Sequence, residues 1–117
     1  MRDRLEVESP ELAARFRSLS TVDQARVAER MLAKALDEIA PPLELPVSMT
    51  ELDEVVRALD ASDDEDDFRR ARAATAARFL RAEALEDALY EALHARRAVD
   101  AAVDEALRET LECSRPL

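Results

Sequence analysis

The chain has 117 residues, a net charge of −10 from 27 acidic and 17 basic side chains, and no glycine or tryptophan. This length suits a single domain. β-Rich folds depend on β-branched and aromatic residues and on glycine in tight turns, whereas alanine, leucine, glutamate and arginine favour helices. We therefore predict one all-α domain over residues 1–117, a helical bundle of four to five helices.

The acidic charge also restricts the partners of the protein. Nucleic acids and anionic membranes attract basic proteins, so we expect neither as a partner. Cys113 is the single cysteine, which excludes a disulfide within the chain. The sequence begins with no leader-like segment, and no apolar run approaches the roughly 18 residues that span a membrane. Together with the alanine- and arginine-rich composition, these features predict a protein of the bacterial cytoplasm.

Three serine residues mark the starts of the first three predicted helices, because serine caps helix N-termini and proline suits the first helical position. Pro10 follows the first serine, and Glu51 completes a capping box with the third. The serines are Ser9, Ser20 and Ser48. The predicted helices span residues 9–19, 20–39 and 48–60. Residues 40–47, APPLELPV, form a proline-rich connection between the second and third.

Residues 62–68, SDDEDDF, contain five consecutive acids. Calcium-binding loops space their acids at alternate positions and use a glycine for the sharp turn, so this segment does not fit one. We interpret Ser62 as the cap of a fourth helix and Glu65 as its capping-box partner. The other acids then face the positive end of the helix dipole. Phe68 begins the apolar stripe of this helix.

Residues 63–114 contain no glycine or proline, and their apolar stripe keeps a helical phase throughout. A straight helix of about 50 residues would be roughly 75 Å long, whereas a compact domain of this size is only about 35 Å across. Two alternatives follow. The long C-terminal helix is broken near residues 94–97 and turns back, or a second chain covers its far half in an intertwined dimer.

Glu91-x-x-His94 is the motif with the most chemical character, since Glu-x-x-His supplies metal ligands in ferritin-like di-iron bundles. On a helical wheel both residues fall on the polar side. Glu83, Asp87 and Glu105 share this side, as expected of a solvated acidic face. We therefore expect an exposed or capping histidine and no cofactor, and a metal-binding bundle that uses Glu91 and His94 is an alternative.

Four other residues are candidates for contact with a partner. Arg78 and Arg96 fall near the centre of the apolar stripe, where an arginine either pairs with an acid of a neighbouring helix or contacts another protein. Phe79 and Tyr90 lie off the stripe, which indicates a second buried face or an interface. The chain has no nucleophile elbow, phosphate loop or zinc-ligand spacing, so we do not expect an enzyme.

Residues 19–36, LSTVDQARVAERMLAKAL, resemble the helix of small antitoxins of the addiction-module type. The shared features are Leu19-Ser20, Ala28-Glu29 and the leucines Leu32 and Leu36, in less than a fifth of the chain. This resemblance implies an inhibitor-type function. With the acidity and the lack of catalytic motifs, it predicts a small protein-binding module that forms a stoichiometric complex with a basic partner, as an immunity protein or antitoxin does. The alternative is a self-assembling helical protein, and we expect a homodimer in either case.

Overall fold

The computed structural model describes residues 4–39, 43–46 and 48–114, and these residues form seven helices and no strand. The all-α class is thus confirmed, and the predicted count of four to five helices is too low. Ala40, Pro41, Pro42 and Val47 of the proline-rich connection lie outside the described residues. The helices are α1 Arg4–Glu8, α2 Pro10–Ser18, α3 Thr21–Asp37, α4 Met49–Asp60, α5 Glu65–Arg81, α6 Leu85–His94 and α7 Val99–Ser114.

Helices α2, α3 and α4 begin directly after the three serines that the sequence indicated. Each serine has an extended backbone, and its hydroxyl oxygen accepts a hydrogen bond from the backbone N–H three residues later. These bonds are 3.2, 3.2 and 3.4 Å long. They satisfy N–H groups that have no partner within the helix.

The start of α5 differs from the prediction, because Asp64 and not Ser62 is its N-cap. The backbone N–H of Asp66 donates to Asp64 Oδ1 at 2.9 Å, while Ser62 Oγ accepts from the Asp64 N–H at 3.2 Å. Aspartate and serine cap equally well, so composition could not separate them. Glu65, Asp66 and Asp67 lie in the first turn of α5, at the positive end of its dipole, and Asp63 precedes the cap.

The segment 63–114 is interrupted twice. The break that the sequence did not predict lies at residues 82–84, where Glu83 has a left-handed backbone with a φ of 60°. The Ala84 N–H donates to the Phe79 carbonyl and the Glu83 N–H donates to the Leu80 carbonyl. This is a Schellman C-cap, in which the left-handed position is usually glycine. Since the chain contains no glycine, the sequence carried no signal for this turn.

The second break lies between His94 and Val99, as in the alternative that broke the helix near residues 94–97. The molecule measures 42 × 32 × 27 Å and therefore holds no helix of 75 Å. The two breaks make α5, α6 and α7 separate helices, and α6 contacts both of the others. None of the described helices is both long and apolar enough to cross a membrane.

Helix α6 occupies the centre of the bundle and contacts α1, α3, α5 and α7, while α4 packs on α5, and α7 packs on α2 and α3. The largest fully buried side chain is Phe16 of α2. Helix α5 contributes only alanines to the buried face, and small side chains let neighbouring helices approach closely. Phe68 lies on the opposite side of α5 from Ala77 and is 51% exposed, so the predicted start of the apolar stripe is wrong.

Candidate functional site

Glu91 is buried, contrary to the prediction of a solvated face. Its side chain is 2% exposed and accepts hydrogen bonds from two arginines. Arg4 Nη1 donates to Oε1 at 2.7 Å, and Arg72 Nη1 donates to Oε2 at 3.2 Å. The prediction failed because α1 packs on α6 and places Arg4 over this carboxylate. A helical wheel of α6 alone cannot show that contact.

The two arginines extend this interaction to further helices. Arg72 Nη2 lies 2.9 Å from an oxygen of Asp60, and Arg4 Nη2 lies 3.6 Å from an oxygen of Asp87. We call Arg4, Asp60, Arg72, Asp87 and Glu91 the Glu91 cluster. It connects α1, α4, α5 and α6 through charged hydrogen bonds, which are stronger than neutral ones.

Phe79 and Tyr90 form an aromatic wall beside this cluster. The Arg4 guanidinium carbon lies 4.5 Å from the Tyr90 ring centroid and 5.9 Å from that of Phe79. Both distances suit cation–π attraction. Both rings are half-buried and pack against the core. The structure thus brings these two predicted contact residues together, around an arginine of the same chain.

His94 contacts Tyr90 and Glu8, whereas Glu91 is held by arginines. The His94 ring centroid lies 4.4 Å from that of Tyr90, and its Nε2 lies 3.4 Å from Glu8 Oε2 without an aligned hydrogen bond. Both oxygens of Glu91 are bound by arginines, which a metal ion would have to displace. Across the described ranges, no group of three or more His, Cys, Asp or Glu side chains is placed to hold a metal.

Arg96 anchors the second break to α3 and α7. Its Nε donates to Glu38 Oε2 at 2.7 Å, and its Nη1 donates to Glu105 Oε2 at 3.0 Å. The backbone N–H of Arg97 also donates to Glu38, at 3.0 Å. The Arg96 side chain is only 11% exposed. Its position within the apolar stripe is therefore explained by pairing with neighbouring helices.

Arg78 is explained in the same way, because its Nε donates to Asp53 Oδ1 and joins α5 to α4. Both arginines of the predicted stripe are thus partners of acids within the chain. Arg78, Arg96 and the aromatic wall lie in separate interhelical contacts. The four predicted contact residues do not form one patch.

Hydrogen bonds from Arg96 help to lower the pKa values of Glu38 and Glu105. Burial raises the pKa of Glu38, but hydrogen bonds from Arg97 N–H and Arg96 outweigh it and hold the pKa below its usual value. The hydrogen bond from Arg96 lowers the pKa of Glu105. Carboxylates with lowered pKa values stabilise the fold above the unfolded-state pKa of about 4.3, and this stabilisation is lost as the pH falls through the folded-state pKa.

We therefore expect Arg96→Met to raise the pKa of Glu105 towards its ordinary range, and that of Glu38 by less, since the Arg97 N–H remains. The loss of stability between about pH 5 and pH 3 should become shallower. NMR titration of the side-chain carboxyl carbons measures both values. Arg108→Met, which removes an exposed arginine without an ion pair, is the control. Unchanged pKa values for Glu38 and Glu105 in Arg96→Met would contradict the role of Arg96 in lowering them.

Most basic side chains in the described part of the chain pair with its own acids. Arg17, for example, holds both carboxylate oxygens of Glu86, at 2.7 and 3.0 Å, and joins α2 to α6. Further cations that bridge separate helices are Arg4, Arg30, Lys34, Arg72, Arg78 and Arg96. The positive charge of the protein is thus largely neutralised by its own carboxylates.

A further set of carboxylates makes no ion pair with a basic side chain of the described chain, and all of them are exposed. We call them the unpaired acids. They dominate the charge that the described surface presents to solvent, since the exposed arginines there whose guanidinium makes no ion pair are fewer, namely Arg57, Arg97 and Arg108. The unpaired acids are Glu29, Asp37, Glu44, Glu51, Glu54, Asp63, Asp64, Glu83, Asp100, Asp104 and Glu112.

The hairpin formed by α4 and α5 combines unpaired acids with an exposed aromatic ring. Glu51 and Glu54 lie on α4, Asp63 and Asp64 lie in the turn before α5, and Phe68 follows in the first turn of α5. We call these five residues the hairpin surface. Sequence reasoning missed it, because it assigned Phe68 to the core and the acids to capping alone.

No protein-family model, curated protein or solved structure matches this chain. The similarity of residues 19–36 to antitoxin helices lies in positions that the fold uses for capping and packing. Ser20 caps α3, and Ala28 and Leu32 are buried in the core.

Proposed function

We propose that the protein is a small acidic binding module that acts by forming a stoichiometric complex with a basic protein, as immunity proteins and antitoxin-type inhibitors do. One observation carries the proposal. The arginines of the chain are mostly engaged with its own carboxylates, while the unpaired acids are all exposed. The charge available to a partner is therefore acidic.

Such a surface acts first on the rate of association. Unpaired carboxylates generate a field that attracts a positively charged protein and raises its encounter rate, although exposed charges add little to affinity by themselves. Affinity requires apolar anchors that become fully buried in the complex, and aromatic side chains are common among them. The hairpin surface supplies both components. Phe68 is its anchor, Asp63 and Asp64 lie in the turn just before it, and Glu51 and Glu54 lie further along α4.

We place the partner contact on the hairpin surface and not on the residues that the sequence indicated. Phe79 and Tyr90 are half-buried around Arg4, and Arg96 is enclosed by Glu38 and Glu105. A partner could reach these side chains only by breaking contacts that hold the helices together. Phe68 is exposed, and it covers little of the core of its own chain.

Affinity capture from the native cells, with two matched variants, tests the proposal. The first variant carries Glu51→Gln, Glu54→Gln, Asp63→Asn and Asp64→Asn, and asparagine preserves the cap of α5. The control removes the same charge elsewhere, through Glu29→Gln, Asp37→Asn, Glu83→Gln and Glu112→Gln. We expect a basic protein to be retained in equimolar amount by the wild type and the control. The first variant should retain at least tenfold less.

Phe68→Ala gives an independent test of the anchor. It should weaken binding of the purified partner by at least tenfold, because aromatic anchors at the centre of an interface contribute more than 1 kcal/mol. Isothermal titration calorimetry measures the affinity and the stoichiometry together. Full affinity of Phe68→Ala for the partner would argue against the hairpin surface. So would equal retention of the basic protein by the wild type, the variant neutralised at the hairpin surface and the control.

A further inference from the structure

The groups around the Arg4 guanidinium form a binding site for it. Arg4 Nη1 donates to Glu91 Oε1 at 2.7 Å, and Nη2 lies 3.6 Å from an oxygen of Asp87. The guanidinium carbon lies 4.5 Å from the Tyr90 ring centroid and 5.9 Å from that of Phe79. Carboxylates and aromatic faces are the groups by which proteins recognise arginine. We call Phe79, Asp87, Tyr90 and Glu91 the guanidinium site.

The guanidinium site is built on helices other than that of Arg4. Three of its residues lie on α6, the central helix, and the fourth lies on α5. Arg72 holds the second oxygen of Glu91 at 3.2 Å, so this buried carboxylate keeps one charged partner when Arg4 leaves. The site therefore stays assembled without Arg4.

The Arg4 side chain is accessible from solvent. It is 46% exposed, whereas Leu5, which follows it, is fully buried in the core. Because Leu5 holds α1 on the bundle, the Arg4 side chain can rotate away from the site while the helix stays in place. Rotations of exposed side chains are fast. A second guanidinium can thus enter the site without unfolding the protein.

We propose that the guanidinium site also binds an arginine side chain of another protein, which takes the place of Arg4. The entering guanidinium makes the same bonds to Glu91 and Asp87 that Arg4 gives up, so the exchange leaves no buried charge uncompensated. Arg4 is favoured by its tether, which is equivalent to a local concentration in the millimolar range. An arginine of a protein that is already held by other contacts has a comparable local concentration.

The ligand is a guanidinium because Arg4 itself shows which group fits. A lysine ammonium has no planar fork with which to reach two carboxylates at once. A free guanidine compound lacks the advantage of a tether, so it displaces Arg4 only at high millimolar concentration. We therefore assign the site to an arginine of a bound protein. This assignment does not rest on the proposed function, because it uses none of the residues of the hairpin surface.

Arg4→Ala empties the site and allows it to be tested in the pure protein. The probe is N-acetylarginine amide, which presents the side chain as a peptide does, and NMR shifts of the backbone amides report its binding. We expect a dissociation constant of about 1 to 10 mM for Arg4→Ala, with saturable shifts along α6. The wild type should bind at least about tenfold more weakly, because Arg4 competes. N-acetyllysine amide should bind Arg4→Ala at least about threefold more weakly than the arginine probe.

Arg15→Ala is the matched control, since it makes the same chemical change and the same change in net charge. Arg15 pairs with Glu11 on the surface of α2, where both side chains are largely exposed. An exposed carboxylate alone holds an arginine weakly, so this variant should bind the probe no better than the wild type does. Asp87→Asn, added to Arg4→Ala, should weaken binding about threefold, and Glu91→Gln at least about tenfold.

Thermal melting identifies any variant that is not folded at the temperature of the titration. In that case Arg4→Gln, which keeps an N–H donor for Glu91 but no guanidinium, replaces Arg4→Ala. Binding of the arginine probe to the emptied site that is no tighter than to Arg15→Ala would overturn the proposal. So would equal affinity for the arginine and lysine probes, or shifts that do not include the residues of α6.

Discussion

Glu91→Ala is expected to lower the free energy of unfolding by about 3 kcal/mol. Glu91 is the buried acid of the Glu91 cluster, and its removal leaves Arg4 and Arg72 without their shared partner. Breaking a buried ion pair costs about 3 to 5 kcal/mol, because the remaining charge loses its compensation. We take the lower end since the Arg4 side chain is 46% exposed and water can solvate it.

Urea denaturation followed by circular dichroism measures this change. Glu29→Ala removes an exposed glutamate of α3 that has no ion pair, and should change the free energy of unfolding by no more than about 0.5 kcal/mol. Glu91→Gln keeps a hydrogen-bond acceptor but loses the charge, so an intermediate loss of about 1 to 2 kcal/mol is expected. An effect of Glu91→Ala as small as that of Glu29→Ala would refute the structural role of the cluster.

Phe16→Ala should cost about 3 to 5 kcal/mol, whereas Phe68→Ala should cost no more than about 1 kcal/mol. The same chemical change is made at a side chain that is 1% exposed and at one that is 51% exposed. In the core it removes the transfer free energy of the ring and leaves a cavity. Phe68 loses only partial burial and a contact with Arg72, whose guanidinium carbon lies 5.4 Å from the ring centroid.

The stability of a small domain is about 5 to 15 kcal/mol, so Phe16→Ala brings the protein close to the limit of folding. Phe16→Leu retains most of the side-chain volume and should lower the free energy of unfolding by about 1 to 1.5 kcal/mol. The same urea titrations measure the three variants. Similar losses for Phe16→Ala and Phe68→Ala would mean that the core has been misassigned.

The starts of three helices could be predicted because their signals are local. A serine cap acts on the N–H groups of the next turn, so the residues that specify the start of α2, α3 or α4 are adjacent in sequence. Pro10 strengthens the same signal for α2. Composition alone was sufficient for the all-α class, since the chain contains no glycine for tight hairpin turns.

The breaks in residues 63–114 follow from different causes. Size required that the segment turn back or be covered by a second chain, because a straight helix of about 50 residues would exceed the dimensions of a compact chain. A break near residues 94–97 was one of these two alternatives. The first break depends on Glu83, which adopts a left-handed backbone where glycine is usual. Tertiary packing of α5 and α6 selects this conformation. No local sequence rule identifies a glutamate in that role.

The burial of Glu91 depends on contacts that are distant in sequence. Arg4 and Glu91 are 87 positions apart, and α1 is too short, at five residues, to show a helical period. Without α1, the wheel of α6 places Glu91 among exposed acids. The hairpin surface was missed for the same reason, since a wheel of one helix does not show which side packs against the other helices. Phe68 fits a helical stripe by spacing, although the alanines on the other side of α5 form its packed face.

The central claim is that the unpaired acids direct this protein to a basic partner. Its most direct test is the association rate with the captured partner, measured by stopped-flow fluorescence at several salt concentrations. We expect the rate to fall by at least about tenfold between 0.05 and 0.5 M salt, with a much smaller fall for the variant neutralised at the hairpin surface. An association rate that does not depend on salt would contradict the account.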